Sequence, residues 1–174
     1  MERGSLWSIP NVISFSRLFL AVLFAAWQTR EARLALILAA AITDFLDGWL
    51  ARRSNTISKW GELIDPVADR AFVFTALSVY LFERTLTTGQ YFIVLSRDLA
   101  TAIGFLLSRS VAWLRPVAFR ARRAGKVVTA LQLITLVIVL TNPDQIPRLI
   151  PIVAVASTIA IIDYAAAMWR QRAR

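Results

Sequence analysis

Apolar residues run along this chain in blocks of about twenty, the length a helix needs to cross a bilayer. Six such blocks predict spans at Asn11–Gln28, Arg33–Arg52, Gly61–Phe82, Gln90–Ser108, Lys126–Thr141 and Arg148–Trp169. The fifth is short for a span and is expected to extend through residues 121–125. Four of the five connections are short: Thr29–Ala32, Arg53–Trp60, Glu83–Gly89 and Asn142–Pro147. Short links make sequential helices antiparallel neighbours. Two stretches mix Trp with charge and suit the headgroup layer: "MERGSLWSIP" at the start and "RSVAWLRPVAFRARRAGK" from Arg109 to Lys126. The pattern predicts an all-α fold, an integral membrane bundle of six transmembrane helices with an N-terminal interfacial segment. Residues 1–174 form a single domain without repeats. Arg17 interrupts the first apolar block and no small-residue cleavage site follows, so the block is read as a mature span rather than a signal peptide.

Composition supports the membrane reading, with 57% of the 174 residues hydrophobic. The chain has no cysteine and no histidine. That excludes disulfides, thiolate or imidazole metal sites and a histidine base. A metal here must sit on oxygen, which favours a hard cation such as Mg²⁺ or Mn²⁺.

The net charge is +9, and its placement matters more than its size. With the N-terminus cytoplasmic, thirteen of the twenty basic residues flank the cytoplasmic ends of the spans. Only Arg30, Arg33, Arg84 and Arg148 flank the other side, while Arg17, Arg70 and Arg97 fall within spans. This bias puts both termini of a multi-pass protein in the cytoplasm. Because the charge lies beside the spans, it points to anionic lipid headgroups and not to nucleic acid.

Against this apolar background, "DFLDGWLARRSNTISKWGELIDPVAD" places Asp44, Asp47, Asp65 and Asp69 at the facing ends of two spans. On helices, Asp44 and Asp47 lie one turn apart, as do Asp65 and Asp69, and both pairs fall near the cytoplasmic ends at similar depth. An ionised carboxylate in a span costs ~3 kcal/mol on the lenient insertion scale, and four together repel. One or two divalent cations relieve both costs and are suited to clamping the oxygens of a phosphoryl centre. Gly48 and Ala51 leave room for a flat ring or a diphosphate, and Arg52 offers a fork for phosphate oxygens. Gly61 allows close helix packing, and Pro66 opens or kinks the third span beside Asp65. Taken alone, Gly48, Ala51 and Gly61 suit plain helix packing, and a single aspartate would suit pairing with Arg17, Arg70 or Arg97.

Asp44-x2-Asp47-Gly48-x2-Ala51-Arg52-x8-Gly61-x3-Asp65-x3-Asp69 resembles, without a departure, the signature of the CDP-alcohol phosphatidyltransferases. The resemblance implies transfer of a phosphatidyl group from CDP-diacylglycerol to an alcohol acceptor, with release of CMP. It implies that Asp44, Asp47 and Asp65 ligate metal. Asp69 would touch the second of two divalent cations and act as general base. Gly48, Ala51, Arg52 and Gly61 would belong to the CDP-lipid site, with Arg52 on the diphosphate. It further implies a homodimer with a site open to the cytoplasm and to membrane lipids, in a prokaryotic inner or cell membrane.

Pro10-Asn11-x5-Arg17 is similar to the first-span pattern of many members, which would bring Asn11 and Arg17 to the CDP-lipid site. By themselves, Asn11 reads equally as a helix cap and Arg17 as a snorkelling side chain. Arg97 and Asp98 stand side by side in the fourth span, either neutralising each other or binding partners in the bundle. "GKVVTALQ" (Gly125–Gln132) resembles a segment of phosphatidylglycerophosphate synthases and of cardiolipin synthases, with Lys126, Thr129 and Gln132 on one face. Arg97, Arg123 and Lys126 are the candidates for a phosphate on the acceptor. Glycerol 3-phosphate is the acceptor expected, with phosphatidylglycerol the alternative. Intramembrane acids also mark ion-coupled transporters, but the absence of repeats and the position of the acids near one interface disfavour that class. Asp163 has no evident role.

Overall fold

The computed structural model describes residues 9–50, 61–110 and 123–172, with side chains over residues 16–44, 70–104 and 124–167 and at Trp169. Among the described residues are six α-helices: α1 (Ile9–Ala26), α2 (Arg30–Leu50), α3 (Gly61–Phe82), α4 (Thr88–Ser110), α5 (Arg123–Thr141) and α6 (Ile146–Arg172). A 3-10 turn, Pro143–Gln145, precedes α6. The third predicted span coincides with α3, and the fifth does extend upstream, since α5 begins at Arg123. Both interfacial stretches fall largely outside the described residues.

The chain divides into two compact units, Met1–Glu83 and Arg84–Arg174. In the first unit α1 packs against both α2 and α3. The buried positions explain the packing, because each set forms a single helical stripe. On α1 the stripe is Arg17, Ala21 and Phe24. On α2 it is Arg33, Leu36, Ile37 and Ala40, and on α3 it is Phe72, Val73, Ala76, Leu77 and Tyr80. Phe24 meets Phe72 and Tyr80 edge-on at ring-centroid distances of 5.7 and 5.6 Å, a favoured aromatic geometry.

One polar residue is built into this core. Arg33 is buried, yet each nitrogen of its guanidinium donates a hydrogen bond at the ends of the three helices. Its Nη1 and Nη2 donate to Glu83 Oε2 and Oε1 at 2.8 and 2.6 Å, and Nε donates to the Trp27 carbonyl at 2.9 Å. The cation also lies 5.2 Å from the Phe24 ring centroid and 5.9 Å from that of Tyr80. A bidentate fork of this kind fixes both partners in angle as well as distance. It ties the start of α2 to the ends of α1 and α3. Arg33, read from the sequence as a flanking charge, is thus an internal fastener.

In the second unit α6 packs against both α4 and α5. Its buried stripe is Ile146, Leu149, Ile150, Val153, Ser157 and Ala160, facing Val94 and Leu95 of α4 or Val128, Leu136 and Val139 of α5 in the unit's core. Beyond these stripes the outer surfaces stay apolar. On α6, Ile152, Val155, Ile159 and Ile162 are each more than half exposed. Helices apolar on their outer faces suit a lipid surrounding. Ala124–Thr141 and Pro143–Ala167 are long and apolar enough to cross a membrane by length and composition, whereas Ser16–Ala26 and Arg70–Phe82 are shorter apolar stretches.

Candidate active site

Asp44 and Asp47 both lie on α2, and Asp65 and Asp69 both lie on α3. The helical spacing on which the acid set was read is therefore real at the level of the backbone. Pro66 falls inside α3, so that helix begins upstream of the proline and runs through it. The side chains of Asp47, Gly48, Gly61, Asp65 and Asp69 lie outside the described residues, as does that of Asn11 on α1. Ala51 and Arg52 lie outside them altogether.

Asp44 is the one acid of the set whose side chain is described. It continues the α2 stripe one turn beyond Ala40, where the buried face opens: its carboxylate is 50% exposed. Opposite it stands Arg17, whose Nη2 is 3.6 Å from Asp44 Oδ1. That distance is an ion pair rather than a hydrogen bond. Arg17 is only 2% exposed, because it occupies the buried α1 stripe with Ala21 and Phe24. A guanidinium removed from water needs an anion, and Asp44 supplies one. Of the two readings open for Arg17, snorkelling does not hold. The side chain turns inward and stands beside the first acid of the signature.

The donor chemistry fits a hard divalent cation. Asp44 presents exposed carboxylate oxygen at the open end of its stripe, and every other acid of the set is also a carboxylate. Among the described residues themselves no three potential ligands come together.

The remaining candidates fall in the second unit. Arg97 and Asp98 of α4 do pair, Nη1 to Oδ1 at 2.9 Å. Asp98 also accepts a 2.6 Å bond at Oδ2 from Gln132 Nε2 of α5. Arg97 reaches the first turn of α5, where its guanidinium occupies the space a side chain at Gly125 would need. Lys126 is exposed, Thr129 half-buried and Gln132 fully buried, so the polar face of "GKVVTALQ" runs from surface to core. Arg123 is the first residue of α5, and its side chain lies outside the described residues. The sequence presented Arg97–Asp98 and Gly125–Gln132 as separate features, and the fold makes one cluster of them. A buried Gln on an apolar span was the signal that it had a polar partner.

Across residues 7–169 the chain matches the family model described as CDP-alcohol phosphatidyltransferase. The chain belongs to the CDP-alcohol phosphatidyltransferase family. It is 38% identical over 109 residues to a CDP-diacylglycerol–glycerol-3-phosphate 3-phosphatidyltransferase of Aquifex aeolicus, a match covering 59% of this chain and 61% of that protein. A protein of the same name from Pseudomonas fluorescens is 32% identical over 149 residues, covering 78% of this chain and 73% of the relative. The chain is also 31% identical over 160 residues to a cardiolipin synthase (CMP-forming) / mitochondrial hydrolase fusion protein of Schizosaccharomyces pombe, covering 81% of this chain and 26% of that protein. The matched chain thus spans less than two thirds of the Aquifex and Schizosaccharomyces relatives.

Proposed function

We propose that this protein transfers the phosphatidyl group of CDP-diacylglycerol to glycerol 3-phosphate and releases CMP, a step of phospholipid biosynthesis. One observation carries the reading. The family match runs over nearly the whole chain and includes the acid signature without a departure. The names of the Aquifex and Pseudomonas relatives favour glycerol 3-phosphate as acceptor. Phosphatidylglycerol is the second reading, favoured by the Schizosaccharomyces relative. Membership of a transferase family leaves no support for the ion-coupled transporter.

In this reading Asp44, Asp47, Asp65 and Asp69 hold two divalent cations, Mg²⁺ or Mn²⁺, which when bound would neutralise charge on the diphosphate. Arg52 grips the diphosphate as a planar fork, with Gly48, Ala51 and Gly61 leaving the CDP moiety room beside the backbone. Asn11 and Arg17 complete the CDP-lipid site, Arg17 by holding Asp44 in place. Asp69 takes the proton from the acceptor hydroxyl. The oxygen so freed forms a bond to the phosphatidyl phosphorus, and the bond from that phosphorus to the bridging oxygen breaks. CMP leaves with the electron pair. Arg97, Arg123 and Lys126 bind the acceptor's phosphate. The whole chain, residues 1–174, acts as one six-span membrane domain and as a homodimer, with both termini and the site on the cytoplasmic side.

Purified protein supplied with labelled CDP-diacylglycerol and a panel of acceptors tests the reading. Glycerol 3-phosphate is expected to support CMP release most strongly, chelation to stop it, and added Mg²⁺ or Mn²⁺ to restore it. Turnover with phosphatidylglycerol alone would reassign the acceptor. Turnover in thorough chelation would remove the cations from the site.

A further inference from the structure

Among the described residues Arg17 and Arg33 are the two buried arginines, and the fold treats them differently. Arg33 is closed off by Glu83, which meets it through both carboxylate oxygens at 2.6 and 2.8 Å. Arg17 has a looser arrangement. Its Nη2 approaches Asp44 Oδ1 at 3.6 Å, beyond hydrogen-bond range, and the Asp44 side chain is 50% exposed. The arginine side of this pair is shut, because Arg17 lies in the buried stripe with Ala21 and Phe24. The carboxylate side is open.

Arginine does not lose its proton in proteins. Arg17 can neither reach water nor discharge, so its positive charge stands permanently beside Asp44. A contact without hydrogen-bond geometry constrains the orientation of Asp44 only weakly, whereas the charge acts at longer range. A divalent cation on Asp44 would share that carboxylate with Arg17, and the two positive charges would repel. Buried charge is screened far less than charge in solvent, so salt does not remove the repulsion.

We propose that Arg17 is a resident counter-ion that competes with the divalent cation for Asp44, and so sets the cation concentration at which the acid site fills. This rests on the reading of Asp44 as a metal ligand. Before the cation arrives, Arg17 offsets part of the repulsion among the carboxylates. Once the cation is bound, the same charge opposes it. The site therefore binds cations more weakly than its carboxylates alone would, and removing the charge while keeping the packing tightens binding by about tenfold.

Titration of the cation-stripped full chain in detergent with Mn²⁺, the free ion followed by its EPR signal, tests this without turnover. Arg17→Met keeps a long unbranched side chain without charge, and Arg17→Lys keeps the charge without the fork. Arg17→Met is expected to lower the Kd for Mn²⁺ about tenfold, and Arg17→Lys to stay within about threefold of wild type. Asp44→Asn is expected to weaken binding. If Asp44→Asn weakens binding but Arg17→Met leaves the Kd unchanged or raises it, the competition is overturned and Asp44 stands as a ligand. If Asp44→Asn changes nothing, the reading of Asp44 falls and the competition falls with it. Equal tightening by Arg17→Lys and Arg17→Met would mean that shape and not charge is responsible, which also overturns the proposal. So does an absence of Mn²⁺ binding in both wild type and Arg17→Met. Should Arg17→Met fail to fold, Arg17→Gln decides by the same criterion. Failure of both to fold would mean a merely structural role and would overturn the proposal.

Discussion

Arg33 and Glu83 make the clearest residue-scale case for how this chain handles charge in apolar surroundings. Burial opposes ionisation of Glu83, but the hydrogen bonds from Arg33 outweigh it and hold the carboxyl below its ordinary value of 4.5. A depressed carboxylate pKa means stability that is complete above the unfolded-state value and is lost as pH falls through the lowered folded-state value. Glu83→Gln is therefore expected to destabilise the first unit at pH 7 by about 2 kcal/mol, a figure that allows for Glu83 being partly exposed. Thermal unfolding of wild type and variant should converge as the pH falls below the ordinary carboxylate range, and a constant gap between them would contradict the ionic origin. Asp69 is the matching case for chemistry. Asp69→Asn is expected to lower turnover by about 10²–10⁴-fold while CDP-diacylglycerol still binds, measured by CMP release beside a binding assay. The types and spacing of both sets were plain in the sequence, yet only the acid set was read as working together. Its members are close in the chain and share a periodicity, whereas Arg33 and Glu83 are 50 residues apart.

Among the elements, α4 starts where local chemistry dictates. Thr87 Oγ1 accepts from the Gln90 N–H at 3.3 Å, and Gln90 Oε1 accepts from the Thr87 N–H at 3.0 Å. This reciprocal box satisfies two groups that a helix start would leave unbonded, and the buried Leu86 and Tyr91 occupy the flanking staple positions. Just upstream, Arg84 adopts a φ of 59°, the left-handed turn that commonly ends a helix, here α3. Thr87→Ala is expected to cost about 1 kcal/mol. The cost should appear as faster hydrogen exchange in the first turn of α4, and unchanged exchange there would count against the cap. Helix ends were otherwise read from the apolar runs, which explains the differences at α2 and α6. Their first turns, Arg30–Ala32 and Ile146–Pro147, are polar or proline-bearing and did not register as part of a span. Hydropathy reports the lipid-facing middle of a helix, and capping decides its ends.

Over the whole molecule, apolar outer faces and asymmetric basic charge lead to the proposed topology, with both termini cytoplasmic and the Thr88 end of α4 on the opposite side. The chain has no native cysteine, so single cysteines at Ser5, Thr88 and Arg172 can be labelled without background. A membrane-impermeant thiol reagent applied from outside intact cells should modify the cysteine at position 88 and spare those at 5 and 172. Labelling at 5 or 172 would reverse or break the six-span order. Periodicity and composition alone sufficed for the helical class, the approximate helices and the acid signature, because each is a property of residues near one another in the chain. The partners of the charged side chains were decided only in three dimensions. Arg17 faces Asp44, Arg33 grips Glu83, and Gln132 braces Asp98 beneath an arginine that fits only because residue 125 has no side chain. Spacing names the face on which a residue lies, but which face packs against it depends on how the helices fold back on one another.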